Sequence, residues 1–153
     1  MAFYTATVSA TSNSSGGTDD TFVEILAAAS SAIRIHRIEV GCGTAATDTQ
    51  TLVKLSRATG AGATGTAYTP LKRDNTMRDS GSTVKVKNGT NAFTVGAGES
   101  ILESNRVNTR GTYRWLPTVQ GREIYVAAAA YFDVVINCPS NSIVHTVTVE
   151  WEE

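Results

Sequence analysis

The chain predicts an all-β fold, a single-domain antiparallel β-sandwich, and three observations carry that expectation. Its 153 residues suit one domain, because single domains cluster at about 100–150 residues and a second core would be starved of apolar surface. Charged residues make up only 18% of the chain, against about 25% in an average soluble domain; Thr, Ser, Gly and Ala fill their place, a β-rich and surface-neutral mixture. Short segments alternate apolar and polar side chains between Gly, Asn and Ser turns, with no convincing run of helices, which favours a sandwich over a βαβ array. The jelly roll is one such sandwich.

Residues 1–20 read as an N-terminal arm or edge strand followed by a flexible linker. Phe3, Thr5, Thr7 and Ser9 fall on one face of residues 3–10, and Tyr4, Ala6, Val8 and Ala10 on the other. Residues 11–20 carry no apolar side chain, the composition of a loop. The sandwich domain, 21–153, opens ambiguously. Thr21-Phe22-Val23-Glu24 fits a capping box, and Phe22, Ile25, Leu26 and Ala29 recur at helical spacing, so residues 22–31 suit a short helix. Residues 32–40 are instead dense in β-branched side chains, and two strands forming a hairpin across residues 27–31 are the favoured reading. Ile33 and Ile35 share one parity while Ile38 and Val40 share the other, which places a β-bulge near His36 and Arg37.

Residues 51–58 form the next strand, with Val53 and Leu55 inward and Lys54 and Ser56 outward. A mobile Gly/Thr loop follows over 60–70. Residues 84–87 alternate cleanly into Asn88-Gly89, the two-residue turn that demands positive φ, so a hairpin to residues 92–95 is expected. Residues 99–106 are weakly patterned. Tyr113 and Trp115 share a face of residues 112–116 before Pro117 ends that run, and another strand spans 123–129. Phe132, Val134, Ile136 and Cys138 share one parity, and Ile143, His145, Val147, Val149 and Trp151 another. These two are expected to pair as a hairpin across 139–142, with Ile143, Val147 and Val149 in the core.

Composition and motifs narrow the function. A net charge of −1 supplies no basic field for phosphates, so nucleic acid is not an expected partner. The longest apolar stretch, 124–136, contains Asp133 and falls short of the roughly 20 residues of a membrane span. The opening residues lack the charged and apolar regions of a signal peptide, which points to synthesis in the cytoplasm. Cys42 and Cys138 lack metal-ligand spacing and suit free core thiols or, alternatively, a disulfide.

Gly60-Ala61-Gly62-Ala63-Thr64-Gly65 matches the dinucleotide fingerprint, but no helix follows to receive a pyrophosphate. His36 and His145 have no accompanying ligand motif, and no nucleophile elbow or carboxylate pair has a local signature. No enzyme activity, metal or cofactor is expected. Asn13 and Asn88 head glycosylation sequons that chance and turn geometry explain. Arg73, Asp74, Arg78 and Asp79 form a mixed-sign loop that suits solvent or a subunit contact. Trp115, with Tyr113 between Arg110 and Arg114, suits either a core or a binding anchor.

From residue 21 onward the order of segments resembles the head decoration, or cement, proteins of tailed bacteriophages. The matching pieces are TFVEI, IRIHRIEVG, Asp48 and the Arg57-Ala58-Thr59 element, and TGTAYTP with Asp74. STVKV, RGTYRW with Pro117, REIYV and a last strand ending in Glu152 and Glu153 complete them. The resemblance implies a jelly-roll structural protein of the virion. Such a protein sits on the outer capsid surface, often as a homotrimer, and holds neighbouring major capsid subunits together. Its candidate capsid or subunit contacts are Phe3, Tyr4 and Val8 of the arm, with Arg73, Asp74, Arg78, Asp79, Arg110, Arg114 and Trp115. The rival readings are a carbohydrate-binding β-sandwich module centred on Trp115 and a head-fibre or tail-associated structural protein.

Overall fold

A strand that alternates core-facing and solvent-facing side chains buries one face of a sheet, and the cleanest alternations in this chain become long strands. The computed structural model describes residues 1–12, 18–43, 48–119, 121–139 and 143–153. Within them are twelve strands and no helix: β1 Phe3–Thr11, β2 Asp20–Leu26, β3 Ile33–Cys42, β4 Gln50–Ala58, β5 Thr66–Tyr68, β6 Leu71–Lys72, β7 Thr83–Val86, β8 Ser100–Asn108, β9 Thr112–Trp115, β10 Ile124–Val126, β11 Tyr131–Asn137 and β12 Val144–Glu152. They build two antiparallel sheets packed face to face. Sheet A runs β10-β3-β12-β1-β6, with β9 also on β3; sheet B runs β5-β7-β2-β11-β4-β8.

Apart from the short β5, β6 and β7, the pairings nest. β1 pairs with β12, β2 with β11, β3 with β9 and β10, and β4 with β8. The chain is one long antiparallel ribbon whose successive pairs alternate between the sheets, which is the jelly-roll topology. This nesting corrects two expected hairpins. β2 and β3 lie in different sheets, as do β11 and β12, so both connections cross the sandwich instead of turning back. Residues 140–142 of the second connection lie outside the described residues, as do 13–17 of the linker with the Asn13 sequon.

The helix alternative for residues 22–31 gives way to β2, which pairs with β7 and β11 and is buried on both faces. A continuous apolar run suits such a strand. The bulge falls where parity places it: Glu150 faces Arg37 and Trp151 faces Ile35, so His36 is the extra residue and Ile33, Ile35, Ile38 and Val40 all reach the core. Residues 3–11 are not a detached arm. All nine pair with β12, and Tyr4 and Val8 point inward with Ala6 and Ala10, so neither is an exposed anchor. The Tyr4 ring lies 5.9 Å from that of Trp151 in the core. Ile143, Val147 and Val149 are buried as expected.

The Asn88-Gly89 turn forms, with Gly89 at φ +57° and the Asn91 amide donating to the Asn88 carbonyl at 3.1 Å. The hairpin does not: residues 92–95 leave β7 and cross the start of β2, where the Thr21 amide donates to the Phe93 carbonyl at 2.7 Å. Phe93 is buried there, its own amide donating to Asp20 Oδ1 at 3.0 Å. Asp20 Oδ2 also holds the buried Lys87 ammonium at 2.6 Å. With the Gly/Thr segment 59–65, residues 92–98 lie as a lid on the outer face of sheet B. The two segments are tied by Gly60 N–H to the Ala97 carbonyl, 3.2 Å, and Ala63 N–H to Thr94 Oγ1, 2.9 Å. The expected mobile loop is therefore packed. Beneath it one row across sheet B holds Lys85, Glu24, Asp133 and Ser56 in register.

Candidate functional site

Strand alternation sends the polar half of β1, β3 and β12 to the outer face of sheet A. That face carries Thr5, Thr7 and Ser9 on β1 beside Thr146 and Thr148 on β12. Hydroxyl pairs join the two strands, Thr7 to Thr148 at 3.0 Å and Ser9 to Thr146 at 2.6 Å. Cross-strand pairs of this kind stabilise the sheet. Beside the hydroxyls runs a chain of alternating charge. Arg114 on β9 donates to Glu39 on β3 at 2.8 Å, Glu39 pairs with Arg37, Arg37 reaches Glu150 on β12 at 3.3 Å, and Arg73 closes on Glu150 at 3.2 Å. The guanidinium groups of Arg114 and then Arg37 hold the Glu39 carboxyl below the usual range. Phe3 projects from the same face, 38% exposed, with its ring 5.4 Å from that of His36, and His36 Nε2 lies 3.0 Å from Glu152.

Phe3, Arg73 and Arg114 thus share one surface. The other charged candidates are dispersed. Asp74 caps its own turn, accepting from the Thr76 amide at 2.9 Å and hydroxyl at 2.8 Å, which lowers its pKa. Asp79 pairs with Lys72 at 3.0 Å, and Arg110 with Asp48 at 3.0 Å. Arg78 stands 3.9 Å from Glu153, and its carbonyl accepts the Tyr4 hydroxyl at 2.9 Å. Residues 80–82 wrap the Glu153 carboxylate with amides and hydroxyls. Burial pushes that carboxyl up, but the donors of Ser82, Gly81 and Ser80 outweigh it and the net shift is downward. The mixed-sign loop is therefore held to the body by its own residues.

Trp115 belongs to a different feature. Where the edge strands β8 and β9 meet, a cleft of about 420 Å³ is lined by the apolar surfaces of Trp115, Leu116 and Pro117 and by Glu103, Arg114, Thr118 and Arg122. Trp115 is half-buried, one side packed on the core. Glu103 Oε1 accepts the Tyr113 hydroxyl at 2.9 Å. Burial first, and then this hydrogen bond, push the Tyr113 pKa up. Sequence reasoning missed Glu103, on a strand too weakly patterned to read, although Glu103, Asn105 and Val107 do share a parity and turn inward. Arg122 carried no signal in the sequence, and the fold places it on the cleft. Both cysteines are free, Cys138 buried and Cys42 half-buried. Burial and, secondarily, nearby Cys138 raise the Cys42 pKa. Among the described residues no group of three or more metal-ligating side chains converges, and no helix is long and apolar enough to cross a membrane. No family model, curated protein or solved structure matches the chain.

Proposed function

We propose that this chain is a structural virion protein that docks on the outer surface of a phage capsid as a homotrimer and cements neighbouring major capsid subunits. The observation that carries the reading is the outer face of sheet A: a field of paired hydroxyls and alternating charges that brings Phe3, Arg73 and Arg114 together. Side chains already fixed by these hydroxyl and ion pairs lower the ordering cost of docking. The jelly-roll fold supports the reading by analogy, since viral capsid proteins use it repeatedly. A threefold arrangement repeats modest contacts and so gains avidity.

Two measurements test this. Light scattering should give about 49 kDa for three chains of 16.2 kDa. Heads assembled from the major capsid protein of the phage that this reading implies should co-sediment the chain, and Thr7→Arg with Thr148→Arg should abolish co-sedimentation while leaving the trimer intact. A monomer that ignores such heads contradicts the proposal.

A further inference from the structure

We infer that the cleft between β8 and β9 is a binding site for an acidic saccharide, a pyranose ring bearing one carboxylate. The inference is independent of capsid docking and rests on what the cleft leaves uncommitted. Arg114 is engaged by Glu39 at 2.8 Å, whereas Arg122 makes no side-chain hydrogen bond or ion pair among the described residues. A guanidinium without a carboxylate partner is a bidentate receptor for one. The Tyr113 hydroxyl and the Asn105 amide both donate to Glu103 Oε1, which leaves Oε2 as the remaining acceptor of a residue that lines the cleft. The half-buried indole of Trp115, continued by Pro117, supplies a fixed apolar wall.

These three features select among ligands. A flat apolar wall takes the C–H face of a sugar or an aromatic ring equally well. Glu103 separates them, because a carboxylate acceptor calls for hydroxyl donors, which a sugar offers and an apolar aromatic ring does not. Arg122 adds a preference for one negative charge. A ring with several hydroxyls and a single carboxylate satisfies all three. The volume of about 420 Å³ accommodates one or two such rings, and concave sites lined by an apolar wall with a few convergent polar groups are the usual form of small-ligand sites.

Tryptophan fluorescence tests this directly, since Trp151 is fully buried and Trp115 is the only other indole. Titration with D-glucuronic acid and with a short oligogalacturonate should change Trp115 emission saturably, with Kd on the order of 1 mM for the monosaccharide. Glucose should bind at least about tenfold more weakly. Arg122→Ala should remove the preference for the acid over the neutral sugar, and Arg122→Lys should restore part of it. Trp115→Phe, which keeps the core contact, should silence the signal. No saturable change at ten times the expected Kd, equal response to glucose and glucuronic acid, or a signal that survives Trp115→Phe would each overturn the inference. Trimer mass and head co-sedimentation are unaffected by any of these outcomes.

Discussion

Two buried side chains carry large shifts in the fold's pH behaviour, and they act in opposite directions. Asp133 is fully buried on the outer face of sheet B. Desolvation, reinforced by Glu24 across the strand pair and more weakly by Glu99, pushes its pKa from 3.8 up to about 7. The remaining charge in that row, Lys85, is 3.5 Å from Glu24. The folded protein therefore keeps a proton that the unfolded chain releases, so the Asp133 contribution is complete below pH 3.8 and is lost as pH rises towards 7. His145 is the mirror case. Buried beside Thr51 Oγ1, at 3.3 Å, and the Phe22 ring, with Asp20 nearby, it is lowered from 6.5 to about 4, chiefly by desolvation. Its contribution is complete above pH 6.5 and is lost as pH falls towards 4. Between those limits each slope is roughly 1.4 kcal/mol per pH unit, and the two cancel. Asp133→Asn should leave stability rising with pH over 4–6.5, and His145→Gln should leave it falling. Urea denaturation across that window reads both slopes, and parallel curves for the two variants contradict the assignment. The sequence marked both positions as polar residues inside apolar runs, but not their surroundings. Glu24 and the lid are brought to Asp133 only by the fold.

At the scale of elements, the lid on sheet B explains a glycine pattern that resembles a nucleotide loop. A Cβ at Gly65 would stand 2.4 Å from the Phe93 ring, and one at Gly62 would stand 2.1 Å from the Thr94 carbonyl oxygen. The glycines are there because a second segment lies against them, a use of glycine for close backbone approach. Gly65→Ala should therefore destabilise by about 1–3 kcal/mol through overpacking, and Phe93→Ala by about 3–5 kcal/mol through the cavity it leaves. Thermal denaturation checks both, and an unchanged midpoint for Gly65→Ala would falsify the packing account. Alternation made β1, β3, β4, β9 and β12 legible, and the parity switch at His36 located the bulge. The segment 92–95 misled because an Asn-Gly turn fixes a reversal of direction without choosing the partner strand. Here Asp20, with its carboxylate open to the Phe93 amide, supplies the competing partner.

At the scale of the molecule, nesting ties the first strand to the last. The ends of β1 and β12 are closed by reciprocal bonds between Ala2 and Glu153, 3.1 and 3.0 Å, and both strands are central to the buried face of sheet A. Deleting residues 2–11 removes Tyr4, Ala6, Val8 and Ala10 from the core and uncovers β12, so the shortened chain should not fold. Far-UV circular dichroism and size exclusion read this, and a native-like spectrum with a compact elution volume would contradict it. The sequence by itself determined the secondary-structure class, the single core, the inward parity of the long strands and the bulge, because each depends on neighbours two residues apart along the chain. Tertiary structure alone decided which strands pair, which of Phe3, Tyr4 and Val8 stays exposed, and which charges share a surface. It also decided that Trp115, Glu103 and Arg122 line one cleft. Those outcomes depend on burial against residues distant in sequence, where a strand's alternation specifies a face but not the partner that covers it.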